Sequence, residues 1–227
     1  MLETGTIKEV EIIDLNHTGQ GVAKIDNFVV FVSGAITGDT VKIKIRDKKK
    51  NYATGSLISV IKPSEFRINP PCRHFEQCGG CQLMHMDYEE QLKYKRNRVI
   101  NEFRRADVNF DELIVNKTIG MEEPYRCRNK TAFSVTEKNN EIQIGPYEQG
   151  SYNTVDIDGC IIQSKEADNV LSAFKNLMAK YNIKAYDKKT KKGIVRNIVI
   201  RSNRKKLKTS KTRIHWFKNY YLLHQIL

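Results

Sequence analysis

The sequence predicts an α+β protein in which a small N-terminal β-barrel precedes a region of mixed helices and strands. The first sixty residues alternate short β-rich runs with glycine turns. The rest of the chain contains two amphipathic helical patterns among further strand-like runs. With 227 residues, of which 40% are hydrophobic, the chain can bury one large core or two ordinary ones.

Five β-rich runs define the first predicted domain, residues 1–61. Glycine turns and the Asp26–Asn27 pair separate the runs, which is typical of a five-stranded, OB-like antiparallel barrel. The runs cover residues 6–13, 21–25, 28–32, 40–46 and 54–61. On the fourth run, Lys42, Lys44 and Arg46 alternate on one face. This pattern indicates either a surface for RNA backbone or a lysine-rich edge that prevents aggregation.

The second predicted region covers residues 62–203. It begins with an extended linker, residues 62–71, which holds three of the five prolines. A helix is predicted over residues 87–105, because Asp87 and Glu90 resemble a capping box. A second helix is predicted over residues 167–181, where apolar residues recur at helical spacing. Strands are expected at residues 130–136, 141–147, 154–157 and 195–201.

Four cysteines have the spacing of a metal site. Cys72, Cys78 and Cys81 lie on one glycine-containing loop, and Cys160 follows much later as a fourth ligand. In a reducing compartment, free thiols of this kind indicate metal binding or catalysis rather than disulfides. Spacing alone leaves both zinc and a four-cysteine iron–sulfur cluster open. The fifth cysteine, Cys127, is left as a spare thiol.

The net charge of +13 comes entirely from the C-terminal part of the chain. Residues 1–187 hold 26 basic and 26 acidic residues, whereas residues 188–227 hold thirteen basic residues and no acidic one. Net charge by itself is therefore a weak argument for nucleic-acid binding by the folded part. From residue 204 to 227 the composition is basic and irregular. A frameshifted C terminus and a genuine basic tail are both open interpretations.

Several motifs together resemble the RNA uracil-5 methyltransferases, the S-adenosyl-L-methionine (SAM)-dependent enzymes that make 5-methyluridine in tRNA and 23S ribosomal RNA. The most specific is the run from Pro71 through Cys78-Gly79-Gly80-Cys81 to His85, which is similar to the family's cluster motif. Segments 19–21, 31–32 and 34–41 resemble its N-terminal TRAM domain. Segments 124–130 and 194–201 resemble its central domain.

The resemblance implies a [4Fe-4S] cluster on Cys72, Cys78, Cys81 and Cys160, with a structural role in positioning RNA. It also implies that the TRAM and central domains bind RNA, either tRNA or 23S ribosomal RNA. The candidate phosphate contacts are then Lys42, Lys44, Arg46, Arg126, Arg128 and Lys130. No protein partner is indicated.

The sequence departs from the family in its catalytic part. The family carries a C-terminal Rossmann-like SAM domain, a nucleophilic cysteine and a glutamate base, and no matching motif is identifiable in these residues. We therefore expect that the SAM domain is absent, that SAM is a cofactor of the full-length family enzyme only, and that helix 87–105 packs on the missing domain. The predicted product is a truncated, inactive methyltransferase. The alternative is a stand-alone RNA-binding iron–sulfur or zinc protein without catalysis.

The expected location is the cytoplasm. The longest apolar runs are far shorter than the roughly 20 residues that a membrane span requires, and the N terminus lacks the apolar segment of a signal peptide.

Overall fold

The structure is a computed structural model that describes residues 2–109 and 115–202, together with the backbone of Arg213–Trp216. The chain forms two compact units that interleave along the sequence. Unit 1 consists of Met1–Pro71 and Cys81–Gly120, and unit 2 consists of Cys72–Gly80 and Met121–Leu227.

Unit 1 contains a sheet of six strands in the order β1-β5-β6-β4-β3-β2. The strands are β1 Ile7–Glu11, β2 Asp14–Leu15, β3 Gly21–Ile25, β4 Phe28–Val32, β5 Thr40–Lys48 and β6 Tyr52–Lys62. The predicted number of five strands is therefore wrong, because β2 is too short to show an alternating pattern. The prediction of a wholly antiparallel sheet is also wrong, since β4 and β6 pair in parallel.

The sheet of unit 1 buries one face of its alternating strands. On β5, Val41, Ile43 and Ile45 are almost completely buried. The carboxylate of Asp39 is buried beside this core and accepts hydrogen bonds from the Ile36 and Ser64 N–H groups, at 2.7 and 2.9 Å. Burial by itself raises the pKa of Asp39, but hydrogen bonds from Arg67 and from these two N–H groups bring the net pKa below its usual value.

Unit 1 also contains helix α1, Tyr88–Arg105, which agrees with the predicted bounds. The Asp87 side chain accepts hydrogen bonds from the N–H groups of Glu89 and Glu90, so it satisfies donors that the first turn leaves unpaired. Helix α1 buries Ile100, while Val99 is 45% exposed. Little of its apolar stripe is fully buried within unit 1.

Unit 2 contains a four-stranded antiparallel sheet in the order β10-β9-β7-β8. Its strands are β7 Lys130–Lys138, β8 Glu141–Gly145, β9 Asn197–Arg201 and β10 Arg213–Trp216. Asn139 and Asn140 adopt φ angles of 52° and 64°, and they form the turn between β7 and β8. Apart from β10, the predicted tail, residues 204–227, lies outside the described residues.

Helix α2, Lys165–Lys180, packs on this sheet and supplies much of the core of unit 2. Ser164 caps it by accepting a hydrogen bond from the Ala167 N–H. The buried stripe is narrower than the periodicity predicts, because Leu177 and Tyr181 are 38% and 63% exposed. Both residues lie in or just beyond the last turn of the helix.

The predicted strand at residues 154–157 is found only as a bridge between Tyr147 and Thr154. The Val155 N–H donates to Pro146 O and the Ile157 N–H donates to Ile144 O, so the segment still follows β8. In the part of the chain that the structure describes, no helix has both the length and the apolarity to cross a bilayer.

Candidate metal centre and RNA-binding surface

Cys72 and Cys78 lie at the two ends of one tightly turned loop in unit 2. The Phe75 N–H donates to Cys72 O at 3.1 Å, and the Cys78 N–H donates to His74 O at 2.8 Å. The Gly80 N–H donates to Cys78 Sγ at 3.3 Å. A Cβ at Gly80 would lie 3.2 Å from that sulfur. Glycine therefore leaves room for an N–H donor to the sulfur, an interaction that tunes metal-bound thiolates.

The cysteine loop, Cys72–Gly80, is hydrogen-bonded to the chain segment that follows β8. The Gly79 N–H donates to Tyr147 O at 3.0 Å, and the Gln149 N–H donates to Gln77 O at 3.1 Å. A side chain at Gly79 would meet Tyr147 O at 3.1 Å, so the two backbones approach closely only with glycine here. Gly79 therefore permits the close approach of the cysteine loop to Tyr147, and Gly80 permits the hydrogen bond to Cys78 Sγ.

Cys160 is held by its backbone from both sides. Its N–H donates to Asp168 Oδ1 at 2.8 Å, and its carbonyl oxygen accepts from Arg126 Nη1 at 3.0 Å. Arg126 Nη1 also lies 2.5 Å from Asp168 Oδ2 and 3.1 Å from Gln163 O. The ion pair between Arg126 and Asp168 thus fixes the position of the Cys160 peptide groups. A Cβ at Gly159 would lie 3.3 Å from the Asp168 carboxylate, so glycine permits this close approach.

Three of the cysteines in unit 2 interact electrostatically. Burial raises the pKa of the Cys78 thiol, and the neighbouring Cys160 and Cys72 raise it further. The Gly80 N–H and the charge of Arg128 act in the opposite direction, but the net pKa stays above the usual value. Thiolates in such a group repel one another, and a bound cation would relieve that repulsion.

Four cysteine thiols are chemically suitable ligands for zinc or for an iron–sulfur cluster. The thiols are partly buried, since Cys72, Cys78, Cys81 and Cys160 all have intermediate exposure. In residues 2–109 and 115–202, however, no three His, Cys, Asp or Glu side chains are already arranged as the shell of a metal ion. Cys81 belongs to unit 1, whereas the other three cysteines belong to unit 2. The cluster therefore stays a prediction.

The three basic residues of β5 lie on the exposed side of their strand. Lys42, Lys44 and Arg46 are exposed and alternate with buried neighbours. Lys42 pairs across the sheet with Glu9 on β1, so one carboxylate interrupts this basic surface. The arrangement can bind phosphates, because three cations project from one short stretch of rigid backbone.

The predicted contacts in unit 2 differ in their surroundings. Arg128 and Lys130 are exposed. The Arg126 guanidinium, which is 29% exposed, is engaged with Asp168 and two carbonyl oxygens. The structure therefore gives Arg126 a role in holding Cys160 that the sequence does not predict. Asp168 was likewise missed, because an acid in the first turn of a helix is ordinarily interpreted as favourable to the helix dipole.

Comparisons with known proteins identify relatives of both units. Residues 2–58 match the TRAM domain family. An uncharacterized RNA methyltransferase of Staphylococcus epidermidis is 39% identical over 202 residues, which cover 88% of this chain and 44% of that protein. An uncharacterized RNA methyltransferase of Staphylococcus aureus is 40% identical over 197 residues, which cover 86% of this chain and 43% of that protein. The chain thus spans less than half the length of these curated relatives.

A solved structure shares the fold over most of the chain. The tRNA (uracil-54, C5)-methyltransferase of Pyrococcus abyssi, in complex with S-adenosyl-L-homocysteine, matches with a TM-score of 0.68 and 19% identity. The match covers 93% of this chain and 46% of that protein. At this identity the match supports the fold.

Two predictions are overturned by these matches. The first is the fold class with an absent Rossmann-like SAM domain. The second is the function of a truncated, inactive fragment, with its alternative of a stand-alone binding protein. Both relied on motifs that these 227 residues lack. The chain nevertheless aligns over 88% of its length with an RNA methyltransferase of Staphylococcus epidermidis and over 93% with the solved structure of the Pyrococcus abyssi enzyme. The absence of a motif is therefore not a sound argument for inactivity.

Proposed function

We propose that this chain belongs to the RNA uracil-5 methyltransferase family and that the protein transfers a methyl group from SAM to C5 of a uridine in RNA, a proposal supported by the TRAM match and the RNA methyltransferase relatives. In this reaction a C5–CH₃ bond replaces the C5–H bond. SAM becomes S-adenosyl-L-homocysteine, and the C5 hydrogen leaves as a proton. The substrate RNA is a tRNA or 23S ribosomal RNA.

The described residues contribute the RNA-holding part of this function. Residues 1–61 form the TRAM region, and residues 62–203 form the central region. The observation that carries the proposal is the exposed row of Lys42, Lys44 and Arg46 within the segment that matches the TRAM domain. Such a row neutralises backbone phosphates without reading sequence. In unit 2, Arg128 and Lys130 are exposed and are further candidate phosphate contacts.

We assign Cys72, Cys78, Cys81 and Cys160 as ligands of a [4Fe-4S] cluster. Support comes from the pKa of Cys78, which is raised by burial and also by Cys160 and Cys72, and from the Gly80 N–H that donates to Cys78 Sγ. A cluster bound by these thiolates would cross-link parts of the chain that are distant in sequence, and we assign it no part in methyl transfer. The backbone contacts of Arg126 and Asp168 orient Cys160 toward this task.

A double-label assay tests the proposed reaction. The protein is incubated with RNA that carries tritium at uracil C5 and with SAM that carries a labelled methyl carbon. We expect one tritium released to water for each methyl group incorporated, with transcripts of tRNA and of 23S ribosomal RNA fragments assayed separately. Methyl incorporation without tritium release would show that another atom is modified. RNA binding with neither event would overturn the proposed reaction.

A further inference from the structure

We propose that the turn from Tyr147 to Thr154 in unit 2 is a nucleobase-binding site, in which Tyr152 stacks on an unpaired RNA base and the adjoining cavity receives the polar edge of that base. This inference rests on the proposed RNA function and names a binding element within it.

The turn is held in shape by its own hydrogen bonds. The Glu148 N–H donates to Asn153 O at 2.8 Å. The Glu148 carboxylate accepts from Ser151 Oγ and Asn153 Nδ2 at 2.9 and 3.1 Å. Asn153 and Ser151 thereby keep the pKa of Glu148 below its usual value, which favours the ionised acceptor. An aromatic residue on this turn is therefore presented on an ordered backbone.

Of the two tyrosines on this turn, Tyr147 and Tyr152, the second is the more exposed. Its side chain is 83% exposed. The ring meets Tyr147 edge-on, with centroids 5.7 Å apart and an interplanar angle of 82°. Lys188 Nζ lies 5.8 Å from the Tyr152 ring centroid. An exposed aromatic ring beside a cation is the arrangement that proteins use to stack on single-stranded nucleic acid.

A cavity of about 640 Å³ adjoins Tyr152. Three residues with side-chain amides, Gln77, Gln143 and Asn153, line it, and so does Lys138. Amides both donate and accept hydrogen bonds, which suits the mixed donor and acceptor edges of nucleobases. The volume is in the range of small-molecule pockets, which is roughly 300–1,000 Å³.

The acidic residues in the cavity wall do not make it repel RNA. Asp156 accepts from Lys175 Nζ at 2.6 Å, and Glu137 accepts from Lys184 Nζ at 2.9 Å. Each carboxylate therefore has a cation from the same unit close by. The Glu148 carboxylate accepts the hydrogen bonds from Ser151 and Asn153 that hold the turn in shape. After the hydrogen bonds from Asn153 and Ser151, the charge of Lys138, which also lines the cavity, lowers the pKa of Glu148, so this carboxylate too has a cation that offsets its charge.

Cations for the RNA backbone lie on the segment that carries Lys188. The Thr190 N–H donates to Asp187 Oδ1 at 2.6 Å, and the Asp187 N–H donates to Lys192 O at 2.8 Å, so this segment forms a closed turn. Lys188, Lys189, Lys191 and Lys192 all belong to it and are exposed. This lysine turn supplies the phosphate contacts that accompany a stacking platform.

The experiment compares Tyr152→Ala with Tyr181→Ala by fluorescence anisotropy, using a labelled stem–loop RNA. Tyr181 is a matched control because it is 63% exposed and has Lys180 Nζ 5.3 Å above its ring, yet it does not line the cavity. We expect Tyr152→Ala to weaken binding by roughly 5- to 150-fold, the effect of one lost stacking contact. Tyr152→Phe should bind like the unsubstituted protein.

Salt dependence separates stacking from charge. Tyr152→Ala should leave the dependence of affinity on salt unchanged, whereas Lys188→Ala should make it shallower. Equal binding by the Tyr152→Ala and Tyr181→Ala variants would overturn the nucleobase site and leave RNA binding by the rest of the protein intact. A protein that binds no RNA at all would overturn both this site and the proposed function.

Discussion

Asp168 and Arg126 form an ion pair, with Arg126 Nη1 2.5 Å from Asp168 Oδ2, and together they hold both peptide groups of Cys160. Asp168 accepts from the N–H of Cys160, and Arg126 donates to its carbonyl oxygen. Neither side chain is a thiol, so neither would be chosen from the sequence as part of a cysteine metal site. Their role is to fix the position of the Cys160 backbone.

We expect Asp168→Asn to lower the cluster content of the purified protein. The substitution removes the charge that pairs with Arg126, and a hydrogen bond to a charged group contributes on the order of 1.5–3 kcal/mol. The measurement is iron and acid-labile sulfide per chain after anaerobic purification. Asp187→Asn is the control, because that carboxylate holds an exposed turn elsewhere in unit 2. Equal iron in the two variants would contradict a positioning role for Asp168.

Replacing any one of Cys72, Cys78, Cys81 and Cys160 by serine should abolish or strongly reduce the visible absorbance of an iron–sulfur cluster. Serine is a poor substitute because the cluster is held by thiolates. Cys127→Ser is the control, since the Cys127 thiol is exposed. It lies 3.7 Å from Pro124 O. The assignment fails if the protein contains zinc rather than iron, or if a variant at one of the four positions keeps its full iron content.

Acidification should destabilise unit 1 through His85. This residue is 2% exposed, and burial, followed by the charge of Arg67, lowers its pKa to about 4. The folded pKa is thus below the unfolded value, so the contribution to stability is complete above the unfolded pKa and is lost as the pH falls toward the folded one. Between pH 7 and pH 5 the expected loss is about 2 kcal/mol.

Urea unfolding followed by circular dichroism measures this loss. His85→Gln should remove most of the pH dependence in that window, whereas His17→Gln, at an exposed position, should keep it. The lowered pKa of Asp39 places its contribution at more acidic pH, because its stabilising charge is lost only as the pH falls through its folded pKa. An unchanged pH dependence in His85→Gln would show that other groups dominate.

Substituting Lys42, Lys44 and Arg46 together by alanine should weaken RNA binding and reduce its salt dependence. Each lost phosphate contact lowers the slope of log affinity against log salt by roughly 0.7–0.9. The triple variant should therefore differ by about 2–3 in slope. Lys24→Ala serves as the control, since Lys24 is an exposed lysine on β3. A triple variant with an unchanged slope would show that this face of β5 does not touch phosphates.

Local sequence patterns determined the secondary structure well. Alternation predicts β5, because side chains on a strand point to opposite faces. The Asp87 cap predicts the start of α1. These signals work because they depend on residues that are a few positions apart. Strand β2 is not predicted for the same reason, because two residues are too few to show an alternating pattern.

Only the tertiary structure shows which residues contact one another at the site. Arg126 was predicted to contact RNA from its charge, yet it bonds to Asp168, 42 residues later in the chain. The Gly79 N–H donates to Tyr147 O and the Cys160 N–H donates to the Asp168 carboxylate, and the residue types alone do not reveal these partners. Contacts of this kind arise from how β-strands and helices pack, so a linear pattern can supply the cysteines of a site but not the groups that hold them in place.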